Sequence, residues 1–324
     1  MYKRLVVTHD NCVDGCCSRA IFEDLFKEDA EYLQIDHGDY NKKFPERVEK
    51  LNNILSKYTN ADIYMADICL PTEYILPLLE RNNSVVILDH HDTALTYINE
   101  LMEFKKEHPN AKIDINFSYD NSESGALLTW NYVHKNKKTP DVITYVSEGD
   151  VWKFFHPNTK YFYTGLLDNQ QPNDYSPEFW QTLLQNEEIA ENFVQKGIPI
   201  REQFLEQVQV YVDKAVPIKL EGKNGSIVFC PSEYRSEAGN LISLQNGGFA
   251  LLIEEEADFV KCSLRSTAPV VCNDIAKAHQ GGGHKQAAAF RVSNLDELQE
   301  IISKENDINI YNLKSIQSKK NNFC

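Results

Sequence analysis

The chain has 324 residues, enough for about two domains of ordinary size and a substantial buried core. Its 33 Lys and Arg against 48 Asp and Glu leave a formal net charge of −15, so the chain as a whole is repelled by a nucleic-acid duplex or an anionic membrane, and any phosphate it handles has to be met by a local site. No apolar run approaches the length needed to cross a bilayer, and 42% hydrophobic with 25% charged residues is ordinary for a globular chain. Lys3 and Arg4 precede only three apolar residues, Leu5, Val6 and Val7, too few for a secretory signal. The eight cysteines (12, 16, 17, 69, 230, 262, 272 and 324) contain no C-x-x-C pair. The expectation is a cytoplasmic protein with reduced thiols, no disulfide framework and no zinc ribbon.

Along the first 150 residues short apolar runs of β type alternate with helical patterns, the signature of βαβ units around a parallel sheet. Arg4–Thr8, Tyr32–Ile35, Ile63–Ala66 and Val85–Leu88 read as strands. They alternate little, as strands covered by helices on both faces require. Between them, Ile21, Phe22, Leu25 and Phe26 share one helical face, and Val48, Leu51, Leu55 and Tyr58 repeat similarly. From about Gln181 to Ala215 the pattern is helical and reads as a connecting helix. After Pro217 come the β-type runs Ser226–Phe229, Ala250–Ile253 and Val260–Leu264, a short helix over Asp274–His279, a Gly-rich turn, Ala287–Val292 and a closing helix over Leu295–Ile302. The resulting expectation is a doubly wound α/β domain with a mainly parallel sheet over 1–190, a connector over 191–216, a smaller α+β domain over 217–303, and a mobile tail over 304–324, where Asn, Lys and Ser offer little to bury.

Chemistry gathers at the strand ends. Arg4–Thr8 runs into His9, Asp10, Asn11, Cys12, Val13 and Asp14; Ile63–Ala66 runs into Asp67; Val85–Leu88 runs into Asp89, His90 and His91. A further acid, Asp150, follows the apolar run Val142–Val146. In an open parallel sheet the carboxyl ends of the strands share one crevice, so these residues converge. Asp14 or Asp67 alone would read as a helix N-cap. Together, acids and adjacent histidines on one rim make a poor set for burial and point to a metal centre, because unpaired charges are expensive in a core. His37, His108 and His134 read as surface or core residues. Ser122–Ala126 reads as a capped helix start, and Tyr161, Phe162 and Tyr163 as core aromatics.

Asp89-His90-His91 after an apolar strand resembles the motif that names the DHH phosphoesterase superfamily. His9 to Gly15 resembles its first motif, Asp67 its second and Asp150 its fourth, in the family's order. Gly281-Gly282-Gly283-His284-Lys285 is similar to the signature of the associated DHHA1 domain, and Ser263 to Ser266 to the strand before it. The resemblance implies a hydrolase of phosphoester or phosphoanhydride bonds holding two divalent ions, commonly Mn²⁺. His9 and Asp67 would hold the first ion, and Asp14, Asp67, His90 and Asp150 the second, with Asp67 bridging. His91 would face the substrate phosphate and Asp89 would orient the histidine pair. Arg265, Gly282, Gly283, His284 and Lys285 would grip the substrate. Carboxylates with imidazole suit Mn²⁺, and two ions sharing one carboxylate, roughly 3.5–4 Å apart, can activate a water between them, so no serine or cysteine nucleophile is needed.

The first motif departs from the family pattern: Cys12 stands where an Asp is usual, and the spacing from His9 is one residue shorter. Three outcomes are open: Cys12 ligates, Asp10 replaces it, or the first ion is weakly held. Cys12 as a small packed residue is the alternative. The acidic surface favours short single-stranded oligonucleotides or small nucleotides over a long duplex or a membrane. A 3′-phosphoadenosine phosphate, a cyclic dinucleotide, pyrophosphate and polyphosphate are rival substrates, and a scaffold with impaired catalysis is the reading from another class. Assembly is left between monomer and homodimer.

Overall fold

The computed structural model describes residues 4–135, 137–267 and 269–319; Lys3 and Cys324, cited above, lie outside them. The chain divides into two compact units, 1–201 and 202–324. The first contains, in order, β1 (Arg4–His9), α1 (Val13–Phe26), β2 (Glu31–Ile35), α2 (Pro45–Leu55), β3 (Asp62–Ala66), α3 (Thr72–Glu80), β4 (Ser84–Asp89), α4 (Asp92–Glu107), β5 (Asp114–Tyr119), α5 (Gly125–Val133), α6 (Asp141–Asp150), α7 (Thr159–Leu166) and α8 (Pro177–Gln185). A long helix, α9 (Glu187–Asp213), carries the chain into the second unit.

The five strands form a wholly parallel sheet in the order β2-β1-β3-β4-β5. Successive residues of the inner strands serve opposite faces, which explains why those strands are apolar throughout. Leu5, Val7, Ile63, Met65, Val85 and Ile87 pack with Leu51, Leu55, Ile75, Leu78, Ile98 and Leu101 of α2, α3 and α4. Val6, Ala66, Val86 and Leu88 pack on the other face with Phe22 of α1 and Leu128 of α5. The strand order reverses between β1 and β3, and in such sheets the crevice for ligands opens at the carboxyl ends beside that reversal.

Three sequence expectations change. The apolar run Val142–Val146 is helical, because Val142, Ile143, Tyr145 and Val146 recur with helical rather than strand period, so Asp150 comes from the end of α6 and not from a strand. The edge strand β5 was not anticipated, since its burial is partial and its polarity irregular. Residues from Lys304 onward, read as having little to bury, include a helix over Ile310–Lys319 whose Ile310 and Leu313 enter the core of the second unit.

The second unit is a mixed six-stranded sheet. Its strands are β6 (Val216–Leu220), β7 (Lys223–Phe229), β8 (Phe249–Glu255), β9 (Val260–Ser266), β10 (Gly282–Gly283) and β11 (Ala287–Val292), in the order β10-β11-β9-β8-β7-β6. Helices α10 (Arg235–Asn246), α11 (Cys272–Ala278), α12 (Leu295–Ser303) and α13 (Ile310–Lys319) complete it. Among the described residues no helix is long and apolar enough to cross a membrane.

Candidate metal centre

The carboxyl ends of β1, β3 and β4 bring His9, Asp67 and Asp89–His91 to one rim, and the ends of α1 and α6 add Asp14 and Asp150. Three sets of ligand atoms lie within 4.8 Å of one another: His9, Cys12 and Asp67; Asp14, His90 and Asp150; and Asp67, Asp89, His90 and His91.

Local backbone constraints aim these groups. After β1 the chain turns through Asn11, at φ 49°, into α1, and the N-terminal turn of α1 lies so close to β1 that a Cβ on Gly15 would sit 2.2 Å from the His9 carbonyl oxygen. Asp67 itself has a φ of 58°, a conformation costly for a residue with a Cβ. Opposite it, a Cβ on Gly125 would lie 2.5 Å from the Asp67 Cβ, so the N-terminus of α5 can approach only because that residue is glycine. Gly125→Ala is therefore expected to destabilise the protein by roughly 1–3 kcal/mol and to weaken divalent-ion binding together with it, checked by denaturant unfolding and metal titration of the same variant. Unchanged stability and metal affinity would remove this role for Gly125.

Asp14 is fully buried, and its carboxylate accepts the backbone N–H groups of Gly125 (2.7 Å) and Ala126 (2.8 Å), the first two residues of α5. Ser124 caps the same helix, its Oγ accepting the N–H of Leu127. The capped helix start anticipated at Ser122–Ala126 is thus present and also clamps Asp14, a role that residue spacing alone did not disclose. Asp67 faces His90 Nε2 through Oδ1 at 3.2 Å and His9 Nδ1 through Oδ2 at 3.5 Å. Asp89 accepts the N–H groups of His90 and His91 and bonds His91 Nδ1 at 2.7 Å, so one carboxylate orients the pair. His90 Nε2 also lies 3.2 Å from Asp150 Oδ2.

The charge in this crevice is strained. Burial, with Asp67 and Asp150 close by, pushes the Asp14 carboxyl well above the usual carboxylate range, and burial with Asp67 pushes Asp150 up to about 6. Burial opposes ionisation of Asp67 too, but the imidazoles of His9 and His90 outweigh it and hold that carboxyl below its ordinary value. The hydrogen bond to Asp89 raises His91 to about 9, and Asp67 raises His9. Burial, Asp67 and Asp14 together push the Cys12 thiol up. Two buried atoms, Asp67 Oδ2 and His9 Nδ1, make no hydrogen bond. A donor set of carboxylates and imidazoles with orphaned atoms facing one another is what a divalent cation would satisfy.

Asp10 is turned elsewhere, its Oδ1 accepting from Asn173 Nδ2 at 2.8 Å, and it belongs to none of the three ligand sets. Cys12 does. His37, read from sequence as a bystander, stands beside the centre, with ring centroids 5.4 Å from His9 and 6.2 Å from His91. Its loop is braced by Arg47, which pairs with Asp36 at 2.8 Å and Asp39 at 3.0 Å, and its Nδ1 bonds Tyr40 Oη. The signal was available, since His37 lies two residues beyond the strand ending at Ile35, on the same rim as the others. Phe162 is fully buried, in keeping with a core reading of the aromatics in α7.

In the second unit, Arg265 on β9 pairs in register with Ala287 on β11, next to the exposed His284 and Lys285. Its guanidinium donates to the Leu264 carbonyl (2.9 Å) and to Ser236 Oγ (3.3 Å). Gly281 N–H closes the end of α11 on the Ala276 carbonyl at 2.8 Å, whereas Gly282 and Gly283 pair with Ala289 and Ala288 as a short strand. The triplet therefore serves as both a helix end and a sheet edge.

A three-layer parallel α/β unit with acids and histidines at its carboxyl rim, followed by a mixed-sheet unit with a glycine-histidine loop, defines a class of two-unit architecture. Residues 231–308 match the family described as the DHHA1 domain. Over 323 residues the chain is 25% identical to the uncharacterized protein R106 of Acanthamoeba polyphaga mimivirus, covering 90% of this chain and 68% of that one. It shares its fold with PggH, a pGpG-specific phosphodiesterase from Vibrio cholerae (TM-score 0.51, 13% identity, 99% of each chain). A likeness to exonuclease RecJ bound to manganese has a TM-score of 0.47 at 14% identity, covering 97% of this chain and 90% of that one. The second unit thus carries a DHHA1 domain over 231–308, and the chain as a whole shares the two-unit fold of PggH.

Proposed function

We propose that the protein is a divalent-metal-dependent phosphoesterase that hydrolyses phosphodiester bonds of short oligonucleotides or small nucleotides with water as the nucleophile. The observation that carries this reading is the pairing of His9, Cys12 and Asp67 on one side of the crevice with Asp14, His90 and Asp150 on the other, with Asp67 facing both through its two oxygens. Divalent ions bound there, Mn²⁺ being the first to test, supply the acidity that activates water and neutralise the phosphoryl oxygens. Asp14 is held for this task by two N–H groups at the start of α5. Asp89 binds Nδ1 of His91 and so leaves the Nε2 edge of that ring for a phosphoryl oxygen of the substrate. Gly282, Gly283, His284, Lys285 and Arg265 of the second unit offer donors and positive charge suited to a phosphate or carboxylate group. The net charge of −15 supports small substrates over long duplexes. The fold shared with a dinucleotide-cleaving enzyme supports placing dinucleotides at the head of a substrate panel.

The test is hydrolysis of a 5′-phosphorylated dinucleotide, a cyclic dinucleotide, 3′-phosphoadenosine phosphate, pyrophosphate and polyphosphate, with Mn²⁺ and then with chelator. Turnover of the linear dinucleotide that chelator abolishes is the expected result. If no substrate is cleaved and no metal co-purifies, the protein is a scaffold on this fold and the proposal fails.

A further inference from the structure

We infer that Cys12 is a thiolate ligand, and that the position formed by His9, Cys12 and Asp67 therefore takes a thiophilic divalent cation such as Zn²⁺ in preference to Mn²⁺. This rests on the metal-centre reading above and goes beyond it, because it makes the two positions chemically unequal.

Four observations support it. The ligand atoms of His9, Cys12 and Asp67 lie within 4.8 Å of one another. Asp67 is 1% exposed, yet its Oδ2 has no hydrogen-bond partner, and neither has the buried Nδ1 of His9 that faces it at 3.5 Å. Both orphaned atoms belong to the set that contains the sulfur. The oxygen ligand that could have replaced the thiol is engaged elsewhere, since Asp10 is bonded to Asn173. Finally, Cys12 occupies the N-cap position of α1, with extended backbone at φ −126° and ψ 137°, and its side chain caps no N–H of that helix.

The chemistry follows from the donors. Sulfur is a soft ligand and prefers Zn²⁺ or Co²⁺, whereas Asp14, His90 and Asp150 offer only oxygen and nitrogen and suit a harder ion. On ligation the thiol proton passes to solvent as the metal–sulfur bond forms, with no change of oxidation state. The other thiols have different surroundings: Cys16 contacts Asn173 and Gln34, and Cys69 and Cys230 donate to neighbouring carbonyls.

The experiment uses the full chain stripped of metal and titrated with Co²⁺ alone. Wild type is expected to show a sulfur-to-cobalt charge-transfer band in the near ultraviolet, which Cys12→Ser abolishes while the visible bands of the remaining ion persist. In competition dialysis against equal Zn²⁺ and Mn²⁺, wild type is expected to retain one equivalent of Zn²⁺. Cys12→Ser should weaken that retention about 100-fold. Cys12→Asp, which replaces sulfur with a carboxylate, should shift the same position to Mn²⁺ and shows that loss of zinc is not loss of fold. Two bound Co²⁺ ions in wild type without a charge-transfer band, or a band unchanged in Cys12→Ser, would overturn the inference and leave the metal centre standing. A wild-type chain that binds no Co²⁺, Zn²⁺ or Mn²⁺ would overturn both.

Discussion

Asp67→Asn is expected to lower Mn²⁺-dependent hydrolysis by roughly 10³-fold or more while leaving the metal-free protein folded, because the residue serves both halves of the crevice. Its Oδ1 faces His90 at 3.2 Å and its Oδ2 faces His9 at 3.5 Å, so its loss removes a ligand from each side at once. Asn is the informative replacement. The backbone at this position has a φ of 58°, which Asn tolerates and Ala resists, so Asp67→Ala would mix a backbone penalty of about 1–2 kcal/mol with the loss of the ligand. Removing this carboxylate relieves repulsion on Asp14 and Asp150, both raised by it, and also takes away the charge that His9 and His90 face; the two effects oppose each other, so the metal-free variant is expected to stay folded. Turnover measured beside bound-metal content checks the result. Near wild-type turnover with full metal content would show that the chemistry does not run through this crevice.

The second large effect is an inversion of the pH dependence of stability by metal. In chelator, Asp150 has a folded value of about 6 against an ordinary carboxylate in the unfolded chain, so the folded state binds the extra proton and stability falls as pH rises from about 4 to about 6. Asp14, raised by burial, acts in the same direction. His91, raised to about 9 by Asp89, contributes stability that is complete below about 6.5 and is lost as pH rises through 9, and His9, raised by Asp67, adds to that loss. Asp67 is lowered, so its contribution is lost only when pH falls below the ordinary carboxylate value and does not oppose the trend in this window. These groups should therefore lower the melting temperature of metal-free protein between about pH 4.5 and pH 9, with His37, His134 and His279, all lowered by burial, offsetting part of the loss near the ordinary histidine value. With saturating Mn²⁺ the sign reverses between pH 4.5 and 7, since the ion competes with protons for the same carboxylates and imidazoles. Parallel melting curves with and without metal across this range would remove the metal from the site.

Much of this centre was legible before any coordinates. Strands buried on both faces must be apolar throughout, so their ends show as the points where polar residues begin, and His9, Asp67 and Asp89–His91 stand there. Asp150 lies in the same crevice as the strand-end residues although the run before it is a helix. His37 follows the same strand-end rule but was passed over because it stands alone in the sequence, and only the neighbouring strands make it one of four imidazoles, with His9, His90 and His91, on a rim. The helix at Ile310–Lys319 was hidden by composition: its Asn, Lys and Ser residues dominate the count, while Ile310 and Leu313 carry the buried contacts.

By itself the sequence determined the types of donor, their order along the chain and the sheet edge on which they gather, because hydrophobic period and strand ends are local properties of the chain. Tertiary structure alone decided which atoms meet. It turned Asp10 toward Asn173 and left Cys12 with His9 and Asp67, set Asp14 on the N–H groups of Gly125 and Ala126 more than a hundred residues away, and aimed Asp67 at two histidines through a left-handed backbone. Those choices depend on side-chain directions and on the close approach of α1 and α5 to the strand ends, which arise from packing between distant segments and leave no periodic trace in the sequence.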